Sequence, residues 1–176
     1  QLIGPLKYPA AIQSVAFDPR GGRVVTGTND RTYAVVLWDI ATRQMTGKLP
    51  QNGWITTVEF SPDGSYLATA AGSISIWDAR GDGSPSYMRS FRHRDGPIAL
   101  VSDIAFDPTG RVVATGGGDH FVSVRDIVTG DDTGESTAYS GSVKHVVFSP
   151  DGLSLAAGLG DGTVHTRRLG QHRDVG

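Results

Sequence analysis

Cysteine is absent from the 176 residues, which excludes disulfides, thiol catalysis and cysteine-ligated zinc. Because nothing points to an oxidising compartment, we expect a cytoplasmic protein. No apolar run approaches the roughly 18 residues that a membrane-spanning helix needs, and the N-terminus lacks the basic and apolar regions of a signal peptide. We therefore predict no membrane partner. The chain does not begin with Met, which suggests a processed product or a piece of a longer protein.

A large charge of either sign is also missing, since the formal net charge is −2. Broad electrostatic attraction to nucleic acid is therefore not indicated, and we predict no nucleic-acid partner. Glycine and proline, in contrast, are plentiful, with 24 and 9 residues. This abundance predicts many turns and favours β structure.

One sequence unit recurs four times, and its clearest marker is a turn that follows a phenylalanine. The turn runs Phe, Asp or Ser, Pro, any residue, Gly, with one inserted residue in the first copy. Its Asp or Ser can bond the backbone ahead, its Pro presets φ, and its Gly closes a type I turn. The four phenylalanines, 42 to 46 residues apart, are Phe17, Phe60, Phe106 and Phe148.

Each unit contains three clear β segments and a weaker fourth. Apolar residues alternate before each turn, as in a half-buried strand, and two further β segments follow the turn. Four strands in a period of about 44 residues are typical of a propeller blade, so we predict an all-β fold with four four-stranded antiparallel sheets. The whole chain, 1–176, is then a single unit, with approximate repeats 7–49, 50–92, 93–139 and 140–170.

The third strand ends in Trp38-Asp39 in the first unit and Trp77-Asp78 in the second. With the preceding turns, these pairs resemble the WD-repeat family of β-propellers. The third and fourth units have Arg125-Asp126 and Arg167-Arg168 at this place, so their copies are degenerate. The resemblance implies a protein-interaction scaffold with protein or peptide partners, and no enzyme.

The resemblance also implies a hydrogen-bonded set of His, Ser or Thr, Asp and Trp inside each blade. Every set is incomplete, because unit one lacks the His, unit two has Ser73 for Asp, unit three has Arg125 for Trp, and unit four has Ala157 for Thr. We expect the remaining members to be structural rather than catalytic. These structural residues are Thr26, Asp30, Trp38, Trp77, Thr115, Asp119 and Asp161.

Four blades are few for this family, whose full rings usually have about seven. Residues 1–6 match the outer strand of the first unit, which suggests that this N-terminal strand completes the last blade. We expect a half propeller that completes an eight-bladed ring as a homodimer, joined through its terminal blades. The alternative is that the chain is an excised fragment.

Loops on one rim of a propeller usually bind peptides in this family. The cations and aromatic residues that we assign to a partner-binding rim are Arg31, Tyr33, Trp54, Arg92, His93, Arg94, His120 and Phe121. The five histidines show no metal-ligand spacing, and Gly116-Gly117-Gly118 lacks the features of a phosphate loop, so we predict neither metal nor cofactor. We predict a non-catalytic scaffold that presents this rim; the alternative is a sensor or regulatory fragment of a larger, possibly bacterial, signalling protein.

Overall fold

The computed structural model describes residues 5–30, 34–51, 53–93 and 100–170. In these segments the chain forms fifteen β-strands and no helix, so none could cross a membrane as a helix. The strands are β1 (Ile12–Phe17), β2 (Arg23–Thr28), β3 (Val35–Asp39), β4 (Met45–Leu49), β5 (Thr57–Phe60), β6 (Tyr66–Ala70), β7 (Ile74–Asp78), β8 (Ser86–Phe91), β9 (Val101–Phe106), β10 (Val112–Gly117), β11 (Phe121–Asp126), β12 (Thr137–Ala138), β13 (Val143–Phe148), β14 (Ser154–Leu159) and β15 (Val164–Arg168).

The strands form four antiparallel sheets in chain order, which we call blades 1 to 4. Blades 1 to 3 have the orders β1-β2-β3-β4, β5-β6-β7-β8 and β9-β10-β11-β12, and blade 4 has β13-β14-β15. The all-β prediction with four sheets is confirmed. The strand that we predicted to complete blade 4 lies in residues 1–6, and of these residues 1–4 lie outside the described segments.

The repeated turn joins the first two strands of every blade. In blade 2 the Ser61 carbonyl accepts a hydrogen bond from the Gly64 amide at 2.8 Å, while the Ser61 hydroxyl accepts one from the Tyr66 amide. Gly64 has a φ of +72°, in the left-handed region that favours glycine. The turn sequence thus fixes the hairpin by local bonds alone.

The blades stack face to face, with strands β1, β5, β9 and β13 innermost and in contact in that order. We call the face of a blade that turns toward the preceding blade its front face, and the opposite face its back face. Val58, Phe60 and Leu67 on the front of blade 2 pack in one cluster with Val25 and Leu37 on the back of blade 1. Equivalent clusters join blades 2 and 3 and blades 3 and 4.

Among the described residues, none forms such a cover on the two outward faces of the stack. Phe17, on the front of blade 1, is 69% exposed, whereas the equivalent Phe60 of blade 2 is 6% exposed. Val147 and Val164, on the back of blade 4, are also largely exposed. The four blades therefore form an open arc whose ends do not cover each other.

A network of charged side chains joins blades 1 and 2 on the side of the turns. Arg20 and Arg23 both form ion pairs with the buried Asp18, and both also donate to the Ala79 carbonyl of blade 2. Burial acts to raise the pKa of Asp18, but the hydrogen bonds from the two arginines hold that pKa below its usual value. This first turn therefore helps to hold blade 2 in place.

Glu59 lies between blades 2 and 3, where its carboxylate accepts a hydrogen bond from the Phe106 amide at 3.5 Å. Burial, with the nearby Asp103 carboxylate adding to it, raises the pKa of Glu59 to about 7. A carboxyl whose pKa is higher in the folded state than in the unfolded state destabilises the protein increasingly as the pH rises between the two values. For Glu59 that window extends from the ordinary pKa of a glutamate, 4.5, to about 7.

We predict that Glu59→Gln raises the free energy of unfolding at pH 8 by up to about 3 kcal/mol, because the amide removes the buried charge and can still accept the Phe106 bond. The gain should fall below about 0.5 kcal/mol at pH 4.5, where the carboxyl is protonated in the folded state and half protonated in the unfolded state. Urea unfolding of both proteins across this range measures the difference. An equal gain at both pH values would contradict a raised pKa.

Candidate protein-interaction surfaces

Each Trp of the Trp-Asp pairs is tied to the neighbouring strand inside its own blade. The Trp38 indole Nε1 donates to the Thr26 Oγ1 at 3.0 Å, and Trp77 donates to the Thr69 Oγ1 at the same distance. All four side chains are buried. Buried hydroxyl and indole groups need such partners, so these residues stabilise the blade rather than form a surface.

In blades 1 to 3 a further polar side chain contributes to this set. It comes from the segment just before the inner strand, and it contacts either the buried threonine or the Asp in the following turn. It follows the last apolar residue of the outer segment by two positions, and it is Tyr8 in blade 1, Gln51 in blade 2 and His93 in blade 3. The Tyr8 hydroxyl donates to Asp30 at 3.0 Å, and the Gln51 amide oxygen accepts from Thr69. Tyr8 and Gln51 take the place expected for His, so the sets in blades 1 and 2 are less depleted than the sequence suggested.

His93 completes this arrangement in blade 3. Its Nδ1 lies 2.7 Å from the Thr115 Oγ1, and its Nε2 lies 3.1 Å from an Asp119 carboxylate oxygen. Burial lowers the pKa of His93 although the Asp119 carboxylate acts to raise it, so the neutral ring is favoured. With 3% exposure, His93 belongs to the interior of the blade and offers no contact on the rim.

The degenerate units replace the missing members differently. Arg125, in the Trp place of blade 3, donates to the Ser123 hydroxyl and lies over the Phe91 ring at 5.8 Å. In blade 4, Asp161 accepts hydrogen bonds from the backbone amide and the hydroxyl of Thr163, two residues further on. Blade 4 therefore has no buried polar set among the residues that the structure describes.

The rim next to these sets carries exposed apolar and cationic side chains. Trp54 is 60% exposed, and Leu100, which the sequence analysis did not single out, is 68% exposed. Arg92 and His120 are also exposed, and Phe121 is half-buried. The predicted rim residues Arg31, Tyr33 and Arg94 lie outside the described segments.

His120 is fixed in an unusual backbone conformation. Its φ is +65°, which is uncommon for a residue with a side chain, and its amide donates to the Gly117 carbonyl. Its carbonyl accepts from the Tyr139 amide of the outer segment at 2.7 Å. The loop before β11 is thus held by backbone bonds on both sides. Within the described part of the chain, no group of three His, Asp or Glu side chains is placed to hold a metal ion.

These features define a class of protein, a β-propeller stack whose rim loops are set on rigid sheets. The sequence matches the family description "WD domain, G-beta repeat" over residues 43–78, 86–126 and 130–166, which is more than half of the chain. The chain therefore belongs to the WD-repeat family. Each matched range begins near an outer strand and ends within the third strand of the following blade, while blade 1 lies largely outside the matches.

Two curated relatives are longer than this chain. It is 32% identical over 136 residues to a serine-threonine kinase receptor-associated protein of Dictyostelium discoideum, covering 73% of this chain and 41% of the relative. It is 29% identical over 177 aligned residues to the guanine nucleotide-binding protein subunit beta-1 of Nicotiana tabacum, covering 96% of this chain and 46% of the relative. The chain thus spans less than half the length of these relatives.

A solved structure shares the fold at full length. The computationally designed Ika4 protein superimposes with a TM-score of 0.76 at 24% identity, covering 97% of this chain and 99% of that chain. At this identity the likeness shows the fold alone.

We predict that His93→Ala lowers the free energy of unfolding by about 2 to 4 kcal/mol, because it leaves a cavity and removes the partner of the buried Thr115 hydroxyl. The matched control is His120→Asn, at the exposed residue just before β11 in the same blade. Asn tolerates a positive φ, so this variant should change the free energy of unfolding by less than about 0.5 kcal/mol. Denaturant unfolding measures both. Equal effects of the two variants would show that His93 is not a structural member.

Proposed function

We propose that this protein is a non-catalytic interaction scaffold that binds a protein or peptide on the rim formed by Trp54, Arg92, Leu100 and His120. The observation that supports this most strongly is the pair of large apolar side chains, Trp54 and Leu100, left exposed on loops that follow well-ordered sheets. Aromatic and arginine side chains are enriched at the energetic centres of protein interfaces. Membership of the WD-repeat family, whose members generally act as protein scaffolds, agrees with this proposal.

Backbone hydrogen bonds hold the chain at two positions of this rim. The Ile55 amide donates to the Thr28 carbonyl of blade 1 at 3.2 Å, directly beside Trp54. The Gly118 amide likewise donates to the Leu100 carbonyl at 3.1 Å. At these two positions the backbone is therefore already held before a partner binds, which lowers the ordering cost there.

We also propose that the rim performs no chemistry. Thr115, His93 and Asp119 have the composition of a nucleophile triad, but the Thr115 hydroxyl is buried at 1% exposure beneath the blade and already bonds His93. A nucleophile must reach the carbonyl group of a substrate, and the buried Thr115 hydroxyl is not accessible to a substrate. The set is better explained as a buried hydrogen-bond network that stabilises blade 3.

A second proposal follows from the length comparison. The chain covers less than half of each of the two curated relatives, so the four blades would serve as the sensor or regulatory part of a larger protein. The rim would then bind a partner that regulates the larger protein, rather than a partner that the scaffold holds in an assembly. The cytoplasmic location expected from the cysteine-free sequence also stays a prediction.

We predict that a random peptide library displayed on phage yields binders to the immobilised 176-residue protein, and that Trp54→Ala weakens their binding at least about tenfold. Loss of an exposed aromatic contact removes buried interface area without disturbing the blade. Binding of the selected synthetic peptides is measured by fluorescence anisotropy.

The control for this experiment is Tyr87→Ala, which removes an equally exposed aromatic side chain from the outer strand β8, away from the rim. It should leave peptide binding within about twofold of the unmodified protein. Peptides that respond to Tyr87→Ala and ignore Trp54→Ala would refute the rim proposal.

A further inference from the structure

Neighbouring blades meet at a recurring contact in which one apolar side chain lies against a residue without a large side chain. Ile55, at the start of blade 2, lies on Gly27 of blade 1, and Val143, at the start of blade 4, lies on Gly116 of blade 3. In both cases a Cβ added to the glycine would lie 3.1 Å from the Cβ of its neighbour. We call the apolar side chain the knob and the small residue the socket.

Blade 2 contributes the same contact with a larger socket. Val101 of blade 3 packs in one cluster with Ala70, which occupies the strand position that Gly27 occupies in blade 1. None of the socket glycines has a positive φ, so close approach of the next blade, rather than backbone conformation, explains the small residue. All three internal knobs are at most 1% exposed.

At each end of the arc, one half of this contact has no counterpart among the described residues: a knob on blade 1 and a socket on blade 4. Ile12 precedes Phe17 by the same five residues that separate Ile55 from Phe60, so it is the knob of blade 1, and it is 47% exposed. Gly158 pairs with His145 and Val164 as Gly116 pairs with Asp103 and Val122, so it is the socket of blade 4.

The socket at Gly158 is open. Among the residues that the structure describes, only the His145 Cβ, in the same blade, comes within 4 Å of a Cβ added there, at 3.8 Å. Thus the front of blade 1 offers a knob, and the back of blade 4 offers a socket of the kind that such knobs occupy elsewhere in the same chain.

The segment before blade 1 packs on blade 1 in the way that the outer strand of one blade packs on the next blade. Leu6 packs against Val24 and Trp38 on the front of blade 1. Leu49, the end of the outer strand of blade 1, packs in one cluster with the equivalent Trp77 of blade 2. Leu6 therefore lies where the outer strand of a preceding blade would place its last residue. Such a strand is what the three-stranded blade 4 lacks among the described residues.

We propose that a second copy of this 176-residue chain covers both ends, with Ile12 of each copy seated on Gly158 of the other. Each junction joins the front of blade 1 to the back of blade 4, so two identical junctions close the assembly around a two-fold axis. If each end face contributes roughly 500 Å², the two junctions bury about 2,000 Å² in total, the size of a stable specific interface.

A second copy is favoured over an unrelated partner because the two faces are complementary to each other. Their exposed apolar residues occupy the strand positions that pack between blades inside the chain, namely Val15 and Phe17 on one face and Val147 on the other. This inference does not depend on the rim proposal.

The first test is the mass of the 176-residue protein by light scattering across a dilution series. The proposal expects twice the 18.6 kDa mass of one chain. Gly158→Phe, which fills the socket without touching the interior, should reduce the mass to one chain with an unchanged β-sheet circular dichroism spectrum. The matched control Val128→Phe, in a turn away from both ends, should retain the double mass.

The second test uses the absence of cysteine, since any disulfide then comes from the introduced residues. Ile12→Cys and Gly158→Cys chains are mixed and oxidised with diamide, and the linked species are separated on a non-reducing gel. In the internal junctions a Cβ added to the socket glycine would lie 3.1 Å from the knob Cβ, a few tenths of an ångström short of the distance found in disulfides. The mixture should therefore yield at least about tenfold more linked dimer than either variant alone.

Several outcomes would overturn the proposal. A mass of one chain at all concentrations would show that the ends need a different cover, such as further blades of a longer polypeptide. Masses that keep growing with concentration would indicate open chains of copies instead of a closed pair. Equal linking in the mixture and in the Ile12→Cys sample alone would place the two fronts against each other, contrary to the knob and socket arrangement.

Discussion

The structure depends on one constraint, that a strongly apolar sheet with two buried faces is stable only between two neighbours. The middle strands of each blade, such as β2 and β10, are buried along almost their whole length. Because burial of apolar area is the main source of stability, no single blade can supply its own core. Hairpin turns, small socket residues and the hydrogen bonds of arginine side chains to the next blade all serve to bring the next sheet close enough to cover the last.

Buried polar side chains of the blades form hydrogen bonds with one another. Trp38 with Thr26, and His93 with Thr115 and Asp119, satisfy each other inside their blades. Such sets tie the third strand and the preceding outer segment to the second strand, so they stabilise the blade edge that carries the rim loops. Partner binding on the proposed rim would therefore depend on the stability of the blade.

The fold could be predicted from the sequence because its signals are local and repeated. The turn residues, the alternation before Phe60 and Phe106, and the Trp-Asp pairs each report on a few neighbouring positions. The exposed ends were expected for the same reason. The exact members of the buried sets could not be predicted, because Tyr8 and Gln51 replace His by different chemistry and are recognisable only from their place after the outer segment. His93 was expected on the surface as well as near a set, and only its burial decides between the two.

The central claim is that the end blades need the same cover as the inner ones. Hydrogen–deuterium exchange of the 176-residue protein at high and low concentration tests this most directly. At high concentration the amides of β1 and β14 should exchange about as slowly as those of β6, and dilution should speed the exchange of β1 and β14 while leaving β6 unchanged. Exchange in β1 and β14 that is as slow as in β6 while light scattering gives the mass of one chain would contradict the claim, because the end faces would then be stable while bare.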